Sequence, residues 1–325
     1  MKQIDKNTFF EITQNFDYVP FTQSKGWWTY HSMKDENRFA FFVDSLEKPT
    51  IACMGHIKKS WGLKMLQIEG ECLLDEKSID SKQIRDFYKE ITQVGFDMVE
   101  VNSSLPYTAL YEIGIRQAGY LRPAGMFSTS LSILIDLQKP IVYDKNWQKN
   151  LRRTERYVLN FIPVTNPSSK DIEDYMSIHN EMKGKKGFHD GLSYNGLKTL
   201  LQNNNFNLFF VKNEQQKLIT GIIVFLRKNR ATSIFSTSSV EGRQKSAAYF
   251  RDNEMYQLLR TKGFAYFDCG RISPATHKKN DVFLFKNGVK GDYLLYCGEW
   301  SWYKKRIYRP LMYFVKKYLF KRVEV

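Results

Sequence analysis

Cysteine is scarce in this 325-residue chain. Its four residues (Cys53, Cys72, Cys269, Cys297) are widely spaced, with no C-x-x-C pair and no cysteine–histidine clamp. That pattern excludes a zinc site and fits buried, reduced thiols in an intracellular protein. The five histidines (His31, His56, His179, His189, His277) are equally scattered, so no metal set forms, and no metal or cofactor is expected. No window approaches the roughly 20 apolar residues needed to span a bilayer. The N-terminal MKQIDKNTFFEITQNF places charges where a secretory leader needs an apolar core. A cytoplasmic protein is expected, at most peripheral on the inner face of the membrane. No Ser-His-Asp or Cys-His spacing recommends a covalent nucleophile. No long heptad run separates Leu159 from Asn205, which excludes a coiled-coil arm. Acidic residues are outnumbered, 34 against 49 basic ones, for a net charge of +15. That balance points to a polyanionic partner: RNA, a nucleotide-linked substrate or an anionic membrane surface.

What is present is a globular α/β pattern. Hydrophobic residues make up 42% and aromatic residues 15% of the chain, enough for one large core or two medium ones. Strand-like runs at Phe39–Val43, Ile51–Lys58 and Met65–Glu71 lead to a helix over Ser81–Gln93 and a strand over Phe96–Val101. A helix over Tyr107–Ala118 and a β-rich run over Phe127–Leu137 follow. The second half repeats the order. Strands at Asn207–Lys212, Leu218–Leu226 and Ala231–Thr237 precede a helix over Ala247–Lys262, a strand at Phe264–Cys269 and a closing strand at Tyr293–Tyr296. Gly95-Phe96 and Gly263-Phe264 open corresponding strands, each ending in a carboxylate, Glu100 and Asp268. Two domains of one design are expected, residues 1–140 and 141–302, divided near Lys139-Pro140, with 303–325 a basic aromatic C-terminal helix. Asn166-Pro167-Ser168-Ser169 is a second break, where a serine caps a helix starting near Asp171.

Two segments concentrate positive charge. From Trp147, WQKNLRRTERYVLNF sets Trp147, Leu151, Thr154 and Val158 along one helical stripe and Lys149, Arg152, Arg153 and Arg156 along another. Adjacent like charges on a helix repel by roughly 0.2–0.5 kcal/mol per pair. The basic stripe is therefore either a solvated face or a phosphate-binding one, facing a cleft. After Trp302 the chain carries eight Lys or Arg residues before its first acidic one, Glu324. Leu311, Met312, Val315, Tyr318, Leu319 and Arg322 have helical spacing there. Such a helix suits an anionic membrane interface, the protein's own surface or tRNA.

The most informative stretch runs from Gly263 to Trp302. It contains Phe267-Asp268-Cys269-Gly270, a loop, and Phe285-Lys286-Asn287-Gly288 ahead of the last strand. An ionisable residue at the C-terminal end of a buried strand faces a cleft better than it packs. This "FD-x-G, loop, FK-x-G, strand" order resembles the closing segment of the FemAB/FemX family, aminoacyl and acyl transferases of two GNAT-like domains. Arg271 stands where that family has a second glycine. Gln23-Ser24-Lys25-Gly26-Trp27 resembles the family's opening QS-x-x-W, and an arginine-containing helix like that after Trp147 opens its second domain.

The resemblance implies a tandem GNAT-like α/β fold and acyl or aminoacyl transfer to an amino group of a cell-envelope precursor, forming an amide. The precursor would be nucleotide- or lipid-linked, a peptidoglycan stem peptide or an amino sugar. The donor would be aminoacyl-tRNA or an acyl thioester. Lys286 matches the lysine at the acyl-donor end, and Asp268 orients either the loop or the attacking amine. Phe285 either stacks on a donor base or belongs to the core. Asn102 and Tyr107 match acceptor-binding positions. Arg152 and Arg156 on the basic segment, with Arg243 and Tyr249, are candidate phosphate or substrate contacts. Acetyl-CoA enzymes of this fold use R/Q-x-x-G-x-G/A, whose glycines admit the pyrophosphate. Here Arg243 to Ala248 reads RQKSAA, which disfavours standard CoA binding. The competing readings are a thioester-dependent N-acyltransferase of surface polysaccharide and a non-catalytic RNA- or membrane-binding module.

Overall fold

The computed structural model describes residues 1–33, 35–60, 62–123, 129–186, 192–273 and 280–319. Phe127, His189, His277, Lys321, Arg322 and Glu324 lie outside the described residues. The first half forms β1 (Lys2–Ile4), α1 (Lys6–Gln14), α2 (Lys25–Ser32), β2 (Phe39–Val43), β3 (Ile51–Ser60) and β4 (Leu63–Ile68). It continues with β5 (Cys72–Leu73), α3 (Ser81–Ile91), β6 (Met98–Pro106) and α4 (Ala109–Gln117). Next come β7 (Leu131–Asp136), α5 (Lys145–Thr154), β8 (Asn160–Val164), α6 (Ser169–Lys186), α7 (Tyr194–Leu201) and β9 (Phe206–Lys212). Then follow β10 (Leu218–Arg227), β11 (Arg230–Ser238), α8 (Val240–Gln244), α9 (Ala247–Thr261) and β12 (Tyr266–Asp268). The last elements are α10 (Asp281–Asn287), β13 (Asp292–Tyr303) and α11 (Tyr308–Phe314), which runs on as a π-helical turn, Val315–Leu319.

The chain divides into two units. One comprises residues 1–28, 32–131 and 295–325, the other residues 29–31 and 132–294. In the first, β1 to β4 form an antiparallel series, β4 runs parallel to β6, and β6 is antiparallel to β13. In the second, β8 to β11 form the antiparallel series, β11 runs parallel to β12, and β12 is antiparallel to β7. Each parallel pair is joined across a helical connection, through α3 or through α8 and α9, as a parallel pair requires. Val99 and Phe267 hold corresponding places: Val99 pairs with Leu66 and Trp302, Phe267 with Ala231 and Ile135. The fold is thus α/β with two GNAT-like halves of one plan.

The pairing departs from the sequence reading in one respect. The strand closing the first half of the sequence, β7, pairs with β12 in the second unit, whereas β13 returns to β6 in the first. Each unit is completed by the other half's last strand.

Local chemistry accounts for the elements. Asp80 caps α3 by accepting from the Lys82 amide, and Ile84, Phe87, Tyr88 and Ile91 form its buried stripe. Residues 218–225 of β10 are buried throughout, as expected of a strand covered on both faces. Ser168 and Asp171 exchange hydrogen bonds at the start of α6 in a reciprocal cap. The QS-x-x-W segment is structural. The Gln23 amide donates to the carbonyls of Met54 and Glu69 at 3.0 Å each and accepts from the Met54 amide at 2.5 Å. Ser24 caps α2 by accepting from the Trp27 amide.

Two helices differ from expectation. α5 stops at Thr154, where the Glu155 amide bonds back to Arg152 and Arg153. Arg156 and the exposed Val158 therefore lie past the helix, and only Lys149, Arg152 and Arg153 remain on it. In the C-terminal segment Met312 and Val315 pack on Met98 beside Met65 and Tyr303. Buried Lys316 forms an ion pair with Glu100 at 3.1 Å, off the hydrogen-bond direction. One face of that helix thus docks on the protein itself.

The first unit also buries a carboxyl. Glu71 accepts from Ser103 Oγ at 2.9 Å, within reach of the Tyr88 and Tyr111 hydroxyls. Burial pushes Glu71 up to about 7, against the pull of those hydrogen bonds.

Candidate active site

The residues of the FD-x-G and FK-x-G motifs meet at one end of β12. Asp268 closes that strand, and its Oδ1 accepts from the Gly270 amide at 2.8 Å and from Ser132 Oγ of β7 at 2.5 Å. This grip fixes the turn, where Gly270 adopts the left-handed conformation (φ 75°) that glycine tolerates best. The Gly270 carbonyl then receives Lys286 Nζ at 3.3 Å. Lys286 is half-buried near the end of the seven-residue helix α10. Burial holds its ammonium below the usual lysine range, opposed by the neighbouring Cys269, Asp268 and Asp252. The Cys269 thiol is pushed up by burial, and the Asp252 carboxyl is raised by the same cause despite Arg251.

Behind Lys286 lies an aromatic box. Trp147 of α5 stacks on Tyr143 with centroids 4.5 Å apart and meets Tyr249 at 4.9 Å and Phe285 at 5.4 Å. Tyr249 and Phe285 meet edge to face at 4.8 Å. Trp147 Nε1 donates to the Phe285 carbonyl at 2.7 Å, one residue before Lys286. A Cβ on Gly288 would come within 2.5 Å of the Trp147 ring, so this glycine is what lets α5 seat on α10. Phe285 and Tyr249 are therefore packing partners of Trp147. Burial raises the Tyr249 phenol, helped by Asp144 and Asp281.

The basic candidates have different surroundings. Arg152, Arg153 and Arg156 are exposed. Arg243 is exposed and donates to the Ser238 carbonyl at 2.6 Å. Lys245 bonds Glu241 at 2.9 Å and lies over the Tyr157 ring. The RQKSAA turn keeps the backbone shape that a glycine would give. Ser246 is left-handed (φ 57°), with its hydroxyl on Asn150 Oδ1 at 3.1 Å. The missing glycine therefore does not abolish the turn ahead of α9; a serine side chain fills it.

In the other unit, Asn102 lies on β6 opposite Glu299 of β13, and its carbonyl accepts from the Gly70 amide. Tyr107 is exposed beyond that strand, its phenol raised by a hydrogen bond with Glu112. Glu112 in turn holds Arg116 and Arg122. The structure thus brings Lys286, Asp268, Phe285 and Tyr249 together, while Asn102 and Tyr107 belong to a separate unit. Sequence reasoning missed Ser132, Cys269 and the buried Arg251–Asp252 pair. The guanidinium of Arg251 also donates to Thr220 Oγ1 at 2.8 Å and the Gly221 carbonyl at 3.0 Å. Arg251 and Asp252 fall on the same helical stripe as Ala247, Met255, Tyr256 and Leu259, which was the available signal.

This arrangement defines a tandem GNAT-like fold with a half-buried lysine at the mouth of the second unit's parallel strand pair. Among solved structures the chain is similar to FemX, with TM-score 0.76 at 9% identity, covering 96% of this chain and 100% of that one. It is also similar to L-PGS from Bacillus licheniformis, with TM-score 0.66 at 14% identity over 97% and 96% of the two chains. A third likeness is to the C-terminal domain (DUF2156) of a putative lysylphosphatidylglycerol synthetase from Agrobacterium fabrum. Its TM-score is 0.59 at 14% identity, covering 85% of this chain and 88% of that domain. At these identities the likeness is one of fold. No protein-family model matches the chain, and no curated protein matches it by sequence.

Proposed function

We propose that this protein is an acyltransferase that joins an acyl or aminoacyl group to an amine of a cell-envelope precursor, forming an amide. The observation that carries this reading is Lys286, held by the Gly270 carbonyl inside a fold shared with FemX. In amide formation the acceptor amine attacks the donor carbonyl. The carbonyl oxygen takes negative charge, the amine loses its proton, and the ester oxygen or thiolate leaves carrying one. A half-buried ammonium stabilises that oxyanion more than a solvated one would, because the surrounding dielectric is low. Asp268 acts as a positioning residue: through Gly270 it sets the carbonyl on which Nζ rests.

The acceptor is a peptidoglycan stem peptide or an amino sugar, nucleotide- or lipid-linked. The name of the Agrobacterium fabrum neighbour, a putative lysylphosphatidylglycerol synthetase, agrees with an aminoacyl donor and a lipid-borne acceptor. Exposed Arg152, Arg156 and Arg243 would receive the donor or precursor phosphates, and Asn102 and Tyr107 the acceptor. One observation favours a thioester donor as the second reading. The turn before α9 survives without its glycine, so the amides at the start of that helix keep a backbone suited to a phosphate.

Steady-state kinetics of Lys286→Met with donor varied tests the assignment. Loss of a positioned oxyanion donor is expected to lower kcat by about 10²–10³. A lysine that only holds donor phosphate would instead raise KM for the donor with kcat nearly kept. Wild-type constants in the variant would remove Lys286 from the site.

A further inference from the structure

The face of the C-terminal helix turned away from the protein has a composition that no docking contact among the described residues explains. Ile307, Leu311, Phe314 and Tyr318 follow one another at intervals of four, three and four residues, so they share one strip of the helix. All four stand open to solvent, at 66%, 41%, 56% and 62% exposure. Phe314 and Tyr318 stack on each other, with centroids 5.9 Å apart and rings 13° from parallel. The opposite face is already used by Met312, Val315 and the Lys316–Glu100 pair, so the strip cannot turn inward without breaking that docking.

Cations border the strip. Lys304, Lys305, Arg306 and Arg309 are exposed, and Lys317 lies half-buried with Nζ 5.6 Å from the ring centres of both Tyr313 and Tyr318. The sequence holds no acidic residue from Trp302 to Leu319. The charge carried by this segment is therefore of one sign, and bulky apolar side chains protrude from its middle. Phosphodiester partners such as RNA would satisfy the cations but leave an aliphatic and aromatic strip in water. The headgroup layer of an anionic bilayer satisfies both: lipid phosphates meet the lysines and arginines, and the strip enters the acyl boundary.

We propose that the helix Tyr308–Leu319, with Ile307 and the basic residues before it, is an interfacial anchor that seats the protein on anionic phospholipid. It lies in the plane of the membrane rather than across it, for no helix among the described residues is long and apolar enough to cross a bilayer. Four apolar side chains plus a basic cluster give a reversible attachment that salt weakens. The anchor is independent of the acyl-transfer reading, since it rests on none of the residues of the candidate active site.

The test is flotation of the full chain with vesicles of phosphatidylcholine alone, or of phosphatidylcholine and phosphatidylglycerol in equal parts. Binding to the mixed vesicles that falls with added salt, and little binding to the neutral ones, is expected. Leu311→Ser with Phe314→Ser should weaken that binding by at least about tenfold, as two of the four apolar side chains that enter the acyl boundary are lost. Both positions are exposed, so thermal unfolding of the double variant should match the wild type. Lys305→Glu with Arg306→Glu should weaken binding too and flatten its salt dependence. Wild-type protein that floats with neither vesicle overturns the proposal. So does a loss confined to the charge variant with the serine variant unaffected, which would assign the surface to a polyanion such as RNA.

Discussion

Glu71 shows how much a single buried group can tell about the first unit. Its folded-state value stands near 7, against 4.5 for an ordinary glutamate, so the folded protein holds a proton there that the unfolded chain releases. Stability from that proton is fully present below pH 4.5 and is lost as pH rises through about 7. Glu71→Gln keeps a neutral hydrogen-bonding group in place. Its advantage over wild type should therefore grow across that interval to about 3 kcal/mol above it. Chemical denaturation at several pH values measures the difference, and a constant gap would mean that the carboxyl titrates normally. At this scale the sequence was legible only where residues were adjacent. Asp268, Gly270 and Lys286 could be read from their motifs, but Ser132 comes to Asp268 from a strand more than a hundred residues earlier. Nothing local to Ser132 marks it, because its role exists only once β7 pairs with β12.

Elements were legible in proportion to their length and the regularity of their apolar spacing. β2, β9, β10, α3 and α9 begin where the sequence places them or one residue away. The edge strands β1 and β8, of three and five residues, are too short to register as periodic, and Pro163 further masks β8; α10 spans only seven residues. β13 was expected to end at Tyr296 but continues to Tyr303. Gly298, in the left-handed region at φ 71°, marks a shift of register within the strand rather than its end. The seating of α5 on α10 gives a prediction at this scale. Trp147 is fully buried, so Trp147→Ala should cost about 3–5 kcal/mol. Gly288→Ala should disturb the same contact from the other side. Because Trp147 bonds the Phe285 carbonyl, both variants should also change the titration of Lys286, readable by NMR of the lysine side chain. An unchanged Lys286 signal in both would show that the box and the lysine are independent.

The whole molecule cannot be cut where its sequence suggests. Residues 1–140 contain β7, which belongs to the second unit, and lack β13, whose Cys297 and Trp300 are part of the first unit's core. A fragment of residues 1–140 is therefore expected to show no cooperative thermal transition. A chain joining residues 1–131 directly to 295–325 should show one. Calorimetry of the two separates this from the alternative, in which the first fragment melts cooperatively and the returning strand is dispensable. The exchange also bears on biosynthesis. An emerging chain usually completes its N-terminal domain while the rest is still being made. Here Val99 waits for Trp302, so the first sheet keeps one side of β6 bare until Trp302 has left the ribosome, some two hundred residues later. Until then nascent β6 is an exposed strand edge, a segment expected to need a chaperone's cover.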